Sequence, residues 1–303
     1  MLCAIGMLGG IDGVLVLVRG IALDWPAYAT VTAIGGAIGA LGLIYRGTGR
    51  SERLAGLLLA TACFVLFTML ASAFTYLLLP IWRAPIDPVL AQIDAMLGFH
   101  WPDALTLAAQ YPTLSEAMRF AYLSSLPQFA LLILVLGLSG RQYELHVFML
   151  ATTLTCLVTI AVWALFPSFG TSTMFEIAAS VEARLRPVVG SAYGAQLKRI
   201  AFEGPVAISP RDALGLIAAP SYHTVMALLA MYAARTIWWL WPGVVAVNLL
   251  VLPGIVVHGG HHLVDVIAGA AVTALGIAAA RFFLRTTPRR VAALAVTMRA
   301  HQN

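Results

Sequence analysis

Long apolar segments recur along this chain, and they restrict its fold more than any other feature of the sequence. Most of them approach the roughly 20 residues that a helix needs to cross the hydrocarbon core of a bilayer. Hydrophobic residues make up 61% and charged residues 10% of the 303 positions, whereas a soluble domain has about 45–50% and about 25%. The sequence therefore predicts an all-α polytopic membrane protein. The eight predicted spans are 2–18, 27–45, 54–79, 117–137, 145–166, 216–234, 238–257 and 262–284.

Loop charges predict how these spans are oriented. Basic residues gather in the short loops at one end of the spans, and the positive-inside rule places such loops in the cytoplasm. The longer segments 83–116 and 167–213, together with two histidine-containing motifs, fall at the opposite end. We expect both termini in the cytoplasm and the motifs on the periplasmic or lumenal face, with a bacterial inner membrane as the expected location. The orienting basic residues are Arg46, Arg50, Arg53, Arg141, Arg235, Arg285, Arg289 and Arg290.

This layout predicts three parts of the chain. Residues 1–53 form two accessory transmembrane helices, residues 54–284 form a six-helix core, and residues 285–303 form a cytoplasmic tail. Within the core, segment 83–116 carries apolar residues at helical spacing beside polar ones, which predicts short interfacial helices that floor or cover a site on the outer face. The apolar residues of this pattern are Val89, Leu90, Ile93 and Leu97.

Two motifs carry side chains suited to catalysis. They are Pro220–Thr224 and His258–Asp265, each at the edge of a predicted span. His261 and Asp265 stand four positions apart, so on one helix they would share a face, and the carboxylate would hold one ring nitrogen while the other faces a substrate. That arrangement makes His261 a candidate nucleophile or base. His223, from another segment, would supply the proton that a leaving oxygen needs.

These motifs resemble the signatures of a known family. Pro220-Ser221-Tyr222-His223-Thr224 looks like the second signature of the type 2 phosphatidic acid phosphatase superfamily, and His261-x-x-x-Asp265 resembles the end of its third. The motif resemblance covers residues 214–284, and the six-span layout of the core is also similar. The resemblance implies that His261 attacks phosphorus to give a phosphohistidine, that Asp265 steadies the imidazolium and that His223 acts as acid and then base. It implies no metal and no other cofactor.

The chain departs from the phosphatase signatures at basic positions. Gly254 and Ile255 stand where those enzymes carry Ser-Arg, and Ala179 stands where a Lys would precede Arg186-Pro187. Such cations hold a phosphate monoester of about two charges, so a site without them fits a phosphodiester of one charge better. The pattern is similar to the inositol phosphorylceramide synthase-like (inositolphosphotransferase) branch of sphingolipid metabolism. We therefore expect a transferase whose partners are membrane lipids with phosphate-containing headgroups.

Further residues are candidates for substrate binding. Ser221 and backbone N–H groups at the start of the sixth span could hold phosphate oxygens, since the helix dipole is positive there. A basic cluster in 167–213 suggests an anionic substrate. Simpler interpretations stay open: Ser221 as a helix N-cap, the cluster as a solvated amphipathic helix, and His258 and His262 as interfacial residues. The expected substrate-binding residues are Ser221, Tyr222, Thr224, Arg186, Arg211 and His258.

Other functions also remain open. His258, His261, His262 and Asp265 could together bind zinc, and the enzyme could instead be a metal-independent lipid phosphate phosphatase, which is a hydrolase. A lipid transporter or a membrane scaffold is disfavoured, because transporters place polar sites near the bilayer midplane and a scaffold does not need paired histidines. The net charge of +5 does not indicate a nucleic-acid partner, since most basic residues lie in loops. Asp12, in the first apolar segment, is either functional or a packing residue.

Overall fold

The computed structural model describes the backbone of residues 1–300 and the side chains of residues 1–286. The prediction of an all-α fold is confirmed, with two-residue strands β1 (Ala22–Leu23) and β2 (Ala207–Ile208) as the strands of the described part. The predicted tail is only partly covered, because the side chains of Arg289 and Arg290 and residues 301–303 lie outside the described residues. The helices are α1 Leu2–Arg19, α2 Trp25–Gly47, α3 Glu52–Leu77, α4 Asp87–Met96, α5 Trp101–Ala108, α6 Pro112–Leu123, α7 Ser125–Leu138, α8 Gln142–Leu165, α9 Ala179–Leu185, α10 Ser191–Glu203, α11 Tyr222–Ala234, α12 Trp241–Val257 and α13 Leu263–Ala300, and a 3-10 turn spans Thr171–Thr173.

Five of the described helices are long and apolar enough to cross a membrane, and a bent pair brings the number to six. The five are α1, α2, α3, α8 and the Leu263–Thr286 part of α13. The predicted sixth and seventh spans correspond to α11 and α12, which are apolar but only 13 and 17 residues long. A polytopic membrane protein is therefore confirmed, whereas eight full-length spans are not.

The predicted fourth span, 117–137, is not one helix. It divides into α6 and α7, which meet at an angle of 51°. Pro127 explains the break, because proline lacks an amide hydrogen and its ring would clash with the carbonyl of Leu123 in a continuous helix. The hydroxyls of Ser124 and Ser125 donate to carbonyls at the end of α6. On its side of the bend, α6 packs against α12.

The predicted sixth span, 216–234, starts later than expected. Residues 214–221 form an irregular segment that contains a cis peptide bond between Ala219 and Pro220, and α11 begins only at Tyr222. Its N-cap is Ser221, whose Oγ accepts a hydrogen bond from the backbone N–H of Thr224 at 3.3 Å. His223 therefore lies in the first turn of α11, which agrees with its expected position at the start of the sixth span.

The connections between helices separate into two ends. At one end the side chain of Arg53 packs on Gly140, and Arg235 forms an ion pair with Glu144 at 3.1 Å. These contacts bring the α2–α3, α7–α8 and α11–α12 connections together. These three connections, which carry Arg46, Arg50, Arg53, Arg141 and Arg235 of the predicted cytoplasmic charges, therefore share one end of the molecule.

Both long connecting segments lie at the opposite end. The indole N–H of Trp101 in α5 donates to the carbonyl of Val256 at the end of α12, at 2.8 Å. Strand β1, after α1, pairs in parallel with β2 of segment 167–213. Between the two ends, a buried apolar cluster joins α7, α8, α11, α12 and α13. Its members include Phe129, Leu132, Phe148, Leu229, Val244 and Ala280.

Candidate active site

Two histidines face each other where α11 and α13 begin. The ring centroids of His223 and His261 lie 6.1 Å apart, and the ring planes are inclined by 67°. The two starting points are tied together, because the N–H of Ser221 donates to the carbonyl of Asp265 at 3.0 Å. In the described part of the chain, neither Nε2 atom makes a hydrogen bond. The structure thus brings together the three residues that the sequence singled out for catalysis.

The prediction that His261 and Asp265 share a helix face is wrong. His261 lies in the loop before α13, and Gly260 adopts a φ of 63°, a conformation that favours glycine. Nδ1 of His261 lies 3.0 Å from the carbonyl oxygen of Ala218 and 3.4 Å from Oδ2 of Asp265. Both neighbours are acceptors, so they favour a proton on Nδ1 and a lone pair on Nε2. That tautomer is the one a nucleophilic histidine needs.

The first turn of α13 is held by two carboxylates. Asp265 reaches back to accept the N–H of His262 at 3.0 Å, as an acidic residue does at the third position of a capping box. Asp94 of α4 accepts the N–H groups of Leu263 and Val264, both at 2.9 Å. These bonds satisfy N–H groups that the helix itself cannot pair. Asp265 therefore fixes both the start of α13 and the ring of His261.

His262 is buried between two carboxylates, at the position just before the membrane span of α13. Its Nδ1 lies 3.3 Å from Oδ2 of Asp94, and its Nε2 lies 3.6 Å from Oδ1 of Asp87. Burial by itself would lower the pKa of His262, but contact with Asp87 and the charges of Asp265, Asp87 and Asp94 outweigh it and raise the pKa. His262 precedes the membrane span of α13 and links the start of that helix to the carboxylates of α4.

Asp87 also holds the loop that follows α8. Its carboxylate accepts hydrogen bonds from the Ser168 hydroxyl at 2.8 Å and from the N–H groups of Phe169 and Gly170, at 3.0 and 2.7 Å. Helix α4 therefore connects this loop to the start of α13. Sequence reasoning missed this role, although two acidic residues seven positions apart on one helix face of an apolar segment were a usable signal.

On the other side of the histidine pair, α6 supplies Tyr122. Its ring stacks on His223 with centroids 4.2 Å apart, and its hydroxyl lies 3.4 Å from Nδ1 of His223. One turn earlier, Arg119 is half-buried, pairs with Glu116 at 3.3 Å and keeps a buried Nε without a partner among the described residues. Neither Tyr122 nor Arg119 belongs to a motif, so the sequence alone gave no reason to select them.

The predicted substrate-binding residues of the Pro220–Thr224 motif point in different directions. Ser221 is fully buried and caps α11, so its capping interpretation is confirmed. The hydroxyl of Tyr222 donates to the carbonyl of Thr152 in α8 at 3.3 Å, away from the histidine pair. Thr224 is buried against Gly269 of α13. Binding of phosphate by these residues stays a prediction.

Three other predicted substrate-binding residues are engaged elsewhere. Nε2 of His258 lies 2.8 Å from the carbonyl oxygen of Ser115 in α6. Arg186 pairs with Glu116 at 3.1 Å and Arg211 with Asp24 at 3.9 Å, and both arginines are exposed. Within the described residues, none of the three forms a hydrogen bond or an ion pair with the catalytic candidates. The basic cluster instead occupies exposed surface, as its simpler interpretation predicts. Its exposed members are Arg184, Arg186, Lys198, Arg199 and Arg211.

Positions 254 and 255 lie inside α12 and pack on α6. Ile255 is fully buried beside Tyr122 and Ala227. A Cβ atom on Gly254 would lie 2.9 Å from the carbonyl oxygen of Met118. Close helix packing therefore occupies the positions where phosphatases carry Ser-Arg.

The zinc alternative gains no support from the geometry. Over the residues described with side chains, no group of three or more His, Cys, Asp or Glu residues is placed to hold a metal ion. The histidines of the second motif are held by different partners: Ser115 for His258, the carbonyl of Ala218 for His261, and the carboxylates of α4 for His262.

Comparison with known proteins now assigns a family. The family model described as the PAP2 superfamily matches residues 88–279. Searches of curated proteins and of solved structures each found no match. Members of the superfamily are generally phosphatases or phosphotransferases, and they act on membrane lipid phosphates. Because the match covers more than half of the chain and includes both paired histidines and Asp265, the chain belongs to the PAP2 superfamily.

Proposed function

We propose that this chain is a membrane lipid phosphotransferase that moves a phospho-headgroup between lipids through a phosphohistidine on His261. The observation that carries the proposal is the orientation of His261. Its Nδ1 faces the carbonyl of Ala218 and the carboxylate of Asp265, while Nε2 makes no hydrogen bond within the described residues and the ring faces His223. An oriented nucleophile beside a second acid–base group is the arrangement that covalent phosphoryl transfer needs.

In the first step, the Nε2 lone pair of His261 forms a bond to phosphorus as the bond from phosphorus to the donor alkoxide breaks. Protonated His223 gives its proton to that leaving oxygen. Asp265 and the carbonyl of Ala218 stabilise the proton on Nδ1 as positive charge develops on the ring. In the second step, His223 removes the proton from an acceptor hydroxyl, whose oxygen attacks phosphorus and releases His261.

The partial neutralisation of Arg119 and Arg186 supports a phosphodiester substrate rather than a monoester. Glu116 partly neutralises both Arg119 and Arg186, and packing fills positions 254 and 255. A monoester carries about two charges at neutral pH and benefits from several charge-assisted hydrogen bonds. We therefore propose the inositol phosphorylceramide synthase-like form of this chemistry, with an inositol phospholipid as donor and a ceramide hydroxyl as acceptor. The match of residues 88–279 supports the superfamily, and the choice of branch is our inference.

The test compares donors of equal acyl-chain length with the detergent-purified protein. We expect the headgroup of phosphatidylinositol to appear on ceramide, and we expect His261→Ala to abolish that transfer. Release of inorganic phosphate from phosphatidic acid in preference to every phosphodiester would instead establish the lipid phosphate phosphatase alternative. If the protein turned over no lipid phosphate at all, an enzymatic function would be excluded in favour of a transporter or scaffold.

A further inference from the structure

The 3-10 turn Thr171–Thr173 packs directly against the residue that precedes the proposed nucleophile. The N–H of Thr171 donates to the carbonyl of Gly260 at 2.8 Å. Gly170 has a φ of 86°, and a Cβ atom there would collide with the same carbonyl oxygen. The Oγ atom of Ser172 would lie 3.4 Å from a Cβ on Gly260. Because residues 170 and 260 are glycines, the turn can pack closely on Gly260, which is the residue directly before His261.

Two hydroxyls of this turn are buried without partners. Thr171 is 0% and Ser172 is 8% exposed, and neither hydroxyl oxygen has a hydrogen-bond partner within the described residues. The third hydroxyl differs, because Thr173 donates to the carbonyl of Gly170 at 2.7 Å. A buried hydroxyl without a partner destabilises a fold, so two of them in one turn call for a ligand that pairs with them.

We propose that Thr171 and Ser172 donate hydrogen bonds to the phosphoryl oxygens of the phosphodiester bound at His261. This inference rests on the proposed function and names the residues that hold its substrate. Hydroxyls are neutral donors, so they complement a single negative charge without requiring a second buried ion. They would take the place of the basic residues that the phosphatase signatures carry at positions where this chain has Gly254, Ile255 and Ala179.

The test uses the opposite effects that this role has on activity and stability. Ser172→Ala and Thr171→Val should each lower kcat/KM for headgroup transfer by roughly 10- to 100-fold, the usual consequence of losing a hydrogen bond to a charged group. Their midpoint temperatures of unfolding should stay equal or rise, because each change removes an unpaired buried polar group. Thr171→Ser, which keeps the hydroxyl, should retain the transfer activity that Thr171→Val loses. A purely structural role would instead lower activity and stability together.

The matched control is Thr159→Val in α8. The hydroxyl of Thr159 is likewise buried and without a partner among the described residues, but Thr159 lies within a membrane-spanning helix. We expect this change to leave transfer activity unaltered. An equal loss of activity in Thr159→Val and Ser172→Ala would overturn the inference, since it would show that any orphaned hydroxyl in this fold has the same effect.

Binding of inorganic phosphate tests the proposed phosphate site independently of the proposed transfer reaction. Phosphate should raise the unfolding temperature of the wild-type protein, and it should raise that of Ser172→Ala by much less. If the wild type transfers no headgroup but shows this difference, the proposed function fails and the phosphate site stands. If transfer occurs and both variants keep wild-type kcat/KM and phosphate stabilisation, the site is wrong and the function stands. Lost transfer with unchanged phosphate stabilisation would also overturn the assignment to phosphoryl oxygens.

Discussion

Among single residues, His261 and Asp265 carry the sharpest prediction. His261→Ala should abolish turnover, because it removes the atom that bonds to phosphorus. Asp265→Asn should keep the fold, since an amide oxygen can still accept the N–H of His262, yet slow turnover by roughly 10³- to 10⁴-fold by analogy with other histidines that lose an orienting carboxylate. Asp103→Asn, at an exposed carboxylate of α5, is the control. Near-normal activity of His261→Ala, measured as initial transfer rate, would rule out the covalent mechanism.

Arg119 provides a second test at the level of residues. It lies one turn before Tyr122, and its buried Nε has no partner among the described residues, so we expect it, rather than an exposed arginine, to attract the anionic headgroup. Arg119→Gln should raise KM by about 10-fold, consistent with a hydrogen bond to a charged group. Arg186→Gln is the matched control, because Arg186 pairs with the same Glu116 but is exposed and such pairs contribute about 0–1 kcal/mol. A larger increase in KM for Arg186→Gln would restore Arg186 as the substrate-binding residue.

Some residues of the site could be identified from the sequence, and others could be identified only from the structure. His223, His261 and Asp265 could be predicted, because each belongs to a short motif whose spacing reflects a chemical requirement. Tyr122 could not, since it reaches His223 only through the bend between α6 and α7. The hydroxyls of Thr171 and Ser172 could not be selected either, because their lack of a partner among the described residues depends on tertiary packing.

Among the helices, α4 makes the contacts that matter most for positioning the site. One of its faces holds the loop after α8 through Asp87 and the start of α13 through Asp94. The sequence predicted α4 as an interfacial helix that floors or covers the site, and its apolar spacing gave the helix correctly. The carboxylates explain why this helix can position His261 without contacting it.

Replacing Asp94 tests this connection. Asp94→Ala would leave the N–H groups of Leu263 and Val264 and the ring of His262 without their acceptor. Breaking a buried charged pair of this kind costs about 3–5 kcal/mol, so we expect a clear fall in the midpoint temperature of unfolding and a lower kcat. Gln92→Ala, at an exposed position of the same helix, should change neither. A stable Asp94→Ala protein with unchanged kcat would show that α4 does not position the site.

Because the pKa of His262 is raised, the stability that its contact with the α4 carboxylates contributes should depend on pH. A group whose pKa is raised on folding stabilises the folded state fully below its ordinary value of 6.5 and loses that contribution as pH rises through the raised value. The unfolding temperature of the wild type should therefore fall relative to that of His262→Gln as pH increases from about 6.5. Differential scanning fluorimetry of both proteins in detergent measures the difference. A constant gap across this window would show that His262 is uncharged in the folded protein.

Over the whole molecule, apolar periodicity predicted the helices but not all of their lengths. Span 117–137 was expected to be continuous because the residues around Pro127 are mostly apolar or small, and hydropathy does not register a missing amide hydrogen. The late start of α11 follows from Pro220 in the same way. Separation of the connections into two ends, inferred from basic residues, agrees with the contact of Arg53 with Gly140 and the pairing of Arg235 with Glu144.

The orientation of these two ends in the membrane is the last prediction. From the positive loops at the Arg53 end, the positive-inside rule predicts that this end lies in the cytoplasm and that the histidine pair lies on the periplasmic or lumenal face. After replacement of Cys3, Cys63 and Cys156, Ala195→Cys on the exposed surface of α10 should react with a membrane-impermeant thiol reagent in intact cells. Thr48→Cys, exposed after α2, should react only after permeabilisation. The reverse pattern would place the site in the cytoplasm, where the headgroup donor would have to be drawn from the inner leaflet.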